Sequence, residues 1–174
     1  MRDIELEEVK ECIKWYNALS KSYDELYGEE QKVKYRRLFK NVDKELGVVL
    51  DVGCGTGTLF EYLITSGFKV SRYICMDVSD KIVELALRKL GTFVEEGMLI
   101  DLIIADLAYP PFREEPAFDL IAMITVLKED YNLVSIVSKY VSRVRRGGYL
   151  LYTVIRKELR DDELRYEDAY VVHS

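Results

Sequence analysis

Apolar and polar positions follow two different rhythms along this chain, and one gives way to the other near Gly47. From Ile4 to Ser20, residues Ile4, Leu6, Val9, Ile13, Tyr16 and Leu19 recur at three- and four-residue steps, the spacing of one helix face. A second helix is expected over Glu29–Val42. Between the two lies Ser22–Gly28, a tyrosine-rich joint ending in a helix-breaking glycine. Beyond Gly47 the pattern turns to short apolar runs at Val48–Val52, Tyr73–Val78, Leu102–Ala105, Leu120–Thr125 and Tyr149–Ile155, each the length of a buried strand. Helical stretches separate them at Thr58–Thr65, Asp80–Leu90 and Leu133–Val144, the last closed by Arg145-Arg146-Gly147-Gly148. Strands alternating with helices imply a mostly parallel sheet covered on both faces, an α/β three-layer sandwich. The expected organisation is a single domain over residues 1–174, with a helical segment at 1–46 and the sandwich core at 47–174.

Composition narrows this picture. A chain that is 49% hydrophobic and 32% charged has the balance of a globular protein, which excludes a disordered class. Its apolar runs fall short of the roughly 20 residues needed to span a bilayer, and Met1–Glu5 is too acidic for a signal peptide, so no membrane partner and a cytoplasmic location are expected. The formal charge of −6 repels a polyphosphate, and nucleic acid is not the favoured partner. Lys32, Lys34, Arg36, Arg37 and Lys40 could form an RNA-facing strip, but interleaved acids such as Glu29, Glu30, Asp43 and Glu45 make them a solvated helix face. Cys12, Cys54 and Cys75 are odd in number and lack metal-type spacing, so they read as reduced and structural. The only histidine, His173, stands one residue from the C-terminus, which leaves no buried imidazole for acid–base chemistry.

The chemistry is concentrated after the first strand. Asp51, Gly53, Gly55 and Gly57 precede a helix beginning at Thr58, which sets a tight turn and backbone N–H groups at the carboxyl edge of the sheet. The dinucleotide fingerprint G-x-G-x-x-G would need glycine at position 58, where this chain has Thr58. An acid two residues before the first glycine would repel a pyrophosphate but suits a cationic ligand. Asp51-x-Gly53-x-Gly55-x-Gly57 thus resembles motif I of the class I methyltransferases that use S-adenosylmethionine (SAM) and release S-adenosylhomocysteine (SAH). The resemblance implies a Rossmann-like fold and assigns roles to two further acids. Asp77, ending Ile74-Cys75-Met76, would grip both ribose hydroxyls, and Asp106, ending Ile103-Ile104-Ala105, would face the adenine amino group.

The similarity extends further. Asp106-x-x-Tyr-Pro-Pro-Phe112 followed by Phe118-Asp119-Leu120-Ile121 is similar to small methyltransferases of the ubiquinone/menaquinone-biosynthesis type. Tyr109-Pro110-Pro111-Phe112 precedes the fourth strand, unlike the N-P-P-F/Y motif of amino-group methyltransferases, so Phe112 is expected to pack beneath the adenine. The resemblance places Tyr16 and Tyr23 over the methionine end and adds Cys54, Val78, Leu107 and Ile124 to the donor contacts, Cys54 for its small size. No metal is expected: Asp130 and Asn132 could stand for part of a metal site, but Thr125 occupies the fourth-strand end where an acid would be required. Glu129, Asp130 and Tyr109 lie near the expected acceptor rim without forming a convincing base. After the fifth strand only Ala169–Val172 offers a further strand, so the sheet edge or acceptor pocket is expected to be open, or completed by another copy or a partner subunit. The expected activity is methyl transfer to an unidentified acceptor, a small molecule first. RNA or protein acceptors, or a catalytically silent SAM-binding subunit, are the alternatives.

Overall fold

A computed structural model describes residues 23–156 and 167–173, together with Glu7, Lys10, Glu11, Ile13 and Lys14. The expected first helix thus lies largely outside the described residues, Tyr16 included. The elements in chain order are α1 (Tyr23–Leu38), β1 (Glu45–Val52), α2 (Thr58–Thr65), β2 (Lys69–Asp77), α3 (Asp80–Glu95), β3 (Leu99–Ile104), β4 (Phe118–Lys128), α4 (Leu133–Val141), β5 (Val144–Ile155) and β6 (Glu167–His173). The strands form one six-stranded sheet in the order β3-β2-β1-β4-β5-β6. All neighbours run parallel except β6, which lies antiparallel on β5. The expected α/β sandwich is therefore present. Its order reverses between β1 and β4, and such a switch opens a crevice at the carboxyl ends of the strands.

Parity along each strand decides which face a residue serves. Val49 pairs with Tyr73 and Asp51 with Cys75, so these four share one face. That face carries a core of Tyr35, Phe39, Leu59, Phe60, Leu63, Phe68 and Leu90 from the helices and their connections. Leu50, Val52, Ile74 and Met76 point the other way, to a second core with Ile136 and Tyr140 of α4 and Phe118 of β4. Burying a side chain such as Phe60 or Leu63, both 0% exposed, contributes about 1.5–3 kcal/mol.

Three local expectations are corrected. Of the expected joint, Ser22 lies outside the described residues and Tyr23–Gly28 forms the opening turns of α1, and the helix expected over Glu29–Val42 closes at Leu38. Gly28 costs about 1 kcal/mol there. That cost is offset downstream, where Tyr35 and Phe39 meet the Tyr62 ring at centroid distances of 5.3 and 5.8 Å. Second, Arg145–Gly148 does not close a helix. It forms a bulge within β5, where pairing jumps from Phe118↔Val144 to Leu120↔Tyr149. Gly147 supplies the left-handed turn with φ +81°.

Third, Cys54 and Cys75 are not reduced; they form a disulfide across 21 residues of sequence, with Cα atoms 5.3 Å apart. An odd cysteine count leaves room for one pair, and parity supplies the reason for this one. Cys75 faces the same side as Asp51, and the chain after β1 folds back over that side, bringing Cys54 to it.

Candidate functional site

The segment between β1 and α2 is held chiefly through its backbone N–H groups, which donate within the turn and to β2. Gly53 and Cys54 donate their N–H groups to the Met76 carbonyl at 2.7 and 3.2 Å, and Gly57 donates to the Cys54 carbonyl at 3.0 Å. Gly53, Gly55 and Gly57 all take positive φ, at +73°, +56° and +86°. Only glycine adopts such angles without cost. Two of them also stand where no Cβ fits: one on Gly53 would lie 2.0 Å from Val126 Cγ1, and one on Gly57 would lie 2.8 Å from Leu90 Cδ1. Gly57 caps α2 without a side-chain partner, so the first N–H groups of that helix open towards the turn. The disulfide adds a covalent tie from Cys54 to the strand that carries Asp77.

Asp51 and Asp77 sit two residues and one strand apart in pattern, yet their environments differ. The Asp51 side chain turns into the α1/α2 core, where the buried Tyr73 hydroxyl donates to Oδ2. Burial pushes the Asp51 carboxyl up to about 7, partly opposed by the Tyr73 hydrogen bond and reinforced by the charge of Asp77. Burial and the neighbouring Asp51 likewise push the Tyr73 phenol well above its ordinary range. Asp51 therefore supports the turn from beneath.

Asp77 instead reaches into the turn. Its Oδ2 accepts from the Gly55 N–H at 3.1 Å and its Oδ1 accepts from the Ser79 N–H at 3.0 Å. Burial raises its proton affinity, while the backbone donors Ser79, Gly55 and Val78 pull the other way. Each carboxylate oxygen has a second lone-pair direction, so a hydroxyl pair could still be received there. Asp106 stands beside it, because Ala105 N–H donates to the Asp77 carbonyl at 2.9 Å. Asp106 Oδ1 accepts from the Ala108 N–H at 2.8 Å. Val78 and Leu107, the residues after each acid, are half-buried. The structure thus brings Gly53, Cys54, Gly55, Asp77, Val78, Asp106 and Leu107 to one edge. The donor set is two carboxylates and a glycine turn, which suits hydroxyl and amino groups.

Across the crevice, β4 contributes Ile124, buried on the α1/α2 side, and then Thr125. Thr125 is the only non-glycine residue with positive φ among the described residues, at +62°. For a β-branched residue this is a strained conformation, and surrounding contacts hold it. Its N–H donates to Thr153 Oγ1 at 2.7 Å, while its own Oγ1 receives the Gln31 amide at 3.1 Å and the Lys34 ammonium at 3.2 Å. Sequence reasoning missed Gln31, Lys34, Tyr73 and Val126. Lys34 was grouped with a solvated basic face, yet it is half-buried over β4. Of the expected lid, Tyr16 lies outside the described residues, and Tyr23 opens α1 with its side chain outside them. Phe112 packs edge-on against Phe118 at 5.2 Å, on the α4 side of the sheet, in the cluster that also takes in Ala105 and Leu107 on either side of Asp106.

The Methyltransferase domain family matches residues 49–148. A ubiquinone biosynthesis O-methyltransferase of Shewanella halifaxensis (strain HAW-EB4) is 26% identical over 112 residues, which cover 64% of this chain and 45% of that protein. This chain therefore spans less than half the length of that relative. Among solved structures, a DhpI–SAM–HEP complex matches with a TM-score of 0.65 at 20% identity, covering 89% of this chain and 68% of that one. A methyltransferase in complex with the Haloferax volcanii Trm112 methyltransferase activator matches with a TM-score of 0.66 at 17% identity, covering 88% and 61%. Among the described residues no helix is long and apolar enough to cross a membrane.

Proposed function

Because this chain belongs to the Methyltransferase domain family and has the class I, SAM-dependent methyltransferase fold, we propose that it binds SAM at the carboxyl edge of β1–β3 and transfers its methyl group to a small-molecule acceptor. The observation that carries this reading is Asp77, tied by both oxygens to the glycine turn and to the start of α3. That geometry suits recognition of two adjacent ribose hydroxyls. Asp106 would receive the adenine amino group, with Val78 and Leu107 against the base. Gly53, Cys54 and Gly55 would lie along the methionine end, with Ile124 on the β4 side and Tyr16 and Tyr23 covering it. Asp51 contributes indirectly, by holding Tyr73 and the root of the turn.

SAM supplies a sulfonium whose methyl carbon is open to in-line attack. The acceptor lone pair forms the new bond, the carbon–sulfur pair returns to sulfur, and neutral SAH leaves. The protein needs chiefly to align the two reactants and exclude water. Val126, packed under Gly53, and Thr125, held by Gln31 and Lys34, would form the wall facing the acceptor. The formal charge of −6 favours a small molecule over a nucleic acid. A partner-dependent reading has one observation in its favour: β6 presents Tyr170, Val171 and Val172 at 41%, 53% and 37% exposure on the sheet's edge. Such an edge suits a partner subunit or a second copy.

The test is transfer of labelled methyl from SAM to cell extract separated into small molecules, RNA and protein. Label in the small-molecule fraction is expected. Label confined to RNA or protein overturns the choice of acceptor, and SAH binding with no label in any fraction points to a silent subunit.

A further inference from the structure

Three side chains of α4 and its C-terminal turn hold the backbone that follows β3, and we propose that Lys139 and Tyr140 act as positioning residues for Asp106 in recognition of the donor's adenine. The proposal rests on the reading of Asp106 given above. Asp106 to Tyr109 forms a closed turn: the Tyr109 N–H donates to the Asp106 carbonyl at 3.0 Å, and the Ala108 N–H donates to Asp106 Oδ1 at 2.8 Å. The two central carbonyls of that turn are both taken by α4. The Tyr140 hydroxyl donates to the Leu107 carbonyl at 2.8 Å, and Lys139 Nζ donates to the Ala108 carbonyl at 2.7 Å while lying 5.5 Å from the Tyr109 ring centroid. Further along, Arg143 Nη2 donates to the Phe112 carbonyl at 2.9 Å and its Nη1 donates to the Lys139 carbonyl.

Two features separate this arrangement from ordinary loop anchoring. The hydrogen bonds converge on the turn that carries Asp106, whose Oδ1 is already taken by the Ala108 N–H, so they restrict how the carboxylate can be presented. They also come at a cost, since Arg143 Nε is buried with no partner among the described residues. Burial and the charge of Asp106 push the Tyr140 phenol up, against the pull of Arg143, so Tyr140 remains a donor at neutral pH. With Leu107 and Ala108 pinned by their carbonyls and Oδ1 held by the Ala108 N–H, Oδ2 is left to meet an amino group from a restricted range of directions. A freed turn would present the same carboxylate at a range of angles, and selectivity for the amino group would fall before affinity for the rest of the donor.

Calorimetric titration with SAH and with S-inosylhomocysteine, in which an oxygen replaces the exocyclic amino group, reads this selectivity directly. The wild-type chain is expected to prefer SAH by at least about tenfold, since a site built to receive an amino group rejects its absence. Tyr140→Phe and Lys139→Met should each reduce the preference to about two- to threefold through weaker SAH binding, and Lys139→Arg should restore it. Lys139→Met keeps the core intact should Tyr140→Phe fail to fold. Preference retained in both variants, or both ligands weakened equally, would overturn the positioning role while Asp106→Asn still abolishes the preference. A preference that survives Asp106→Asn would sink the adenine role of Asp106 and the clamp with it.

Discussion

The carboxyl edge of the sheet divides between β1 and β4 into two halves built by different means. On the β1–β3 side, backbone N–H groups donate to the two carboxylates: Gly55 and Ser79 to Asp77, Ala108 to Asp106. On the β4–β5 side, the wall is one strained threonine held by side chains from α1 and β5, far apart in sequence. The three ties of the first half span 2 to 22 residues of chain, whereas those of the second span 28 to 94.

Gly53 is where the halves touch, and its replacement should have the largest effect. Gly53→Ala forces a Cβ into Val126 at a positive φ, and unfolding in urea should show a loss of about 2–4 kcal/mol. An unchanged midpoint would mean that the turn and β4 are not packed as described.

Asp51 offers the next test. Its carboxyl is raised from 3.8 to about 7, so the stability it allows is full below pH 3.8 and lost as pH rises through about 7. The wild-type chain should therefore lose about 2 kcal/mol relative to Asp51→Asn between pH 5 and pH 8. SAH affinity should change far less in Asp51→Asn than in Asp77→Asn. Equal losses of affinity would put Asp51 in contact with the donor.

The disulfide should matter for the donor half alone. Titration of the unreduced, unfolded chain should find one reactive thiol among its three cysteines. A dithiol reductant should weaken SAH binding about tenfold, by loosening the turn over β2. Three reactive thiols, or binding indifferent to reduction, would remove the tie from the account. The smallest effect belongs to the other half: Thr125→Gly relieves the backbone while losing the Gln31 and Lys34 bonds, and SAH affinity should stay within about twofold.

These contrasts also explain what was legible beforehand. The glycines, Asp77 and Asp106 announce themselves because strand-end acids and a left-handed turn are written in consecutive residues. Asp51 reads in the sequence as an acid for the cationic end of the donor, and only strand parity, with Tyr73 paired beside Val49 on the same face, turns it inward. Cysteine counting missed the Cys54–Cys75 bond because an odd total hides one pair. Gly28 read as a breaker because packing by Tyr35 and Phe39 lies outside any local window. Gln31 and Lys34 could not be assigned to Thr125 across more than 90 residues of chain; the separations are 94 and 91.

Titration of the chain with SAM and SAH, set beside Asp77→Ala, tests the central claim most directly. The account predicts binding of both ligands in the micromolar to millimolar range common for enzyme substrates, and a loss of at least about a hundredfold in Asp77→Ala, which forfeits hydrogen bonds from both ribose hydroxyls. No heat with either ligand, or equal affinity in the wild-type chain and Asp77→Ala, would contradict it.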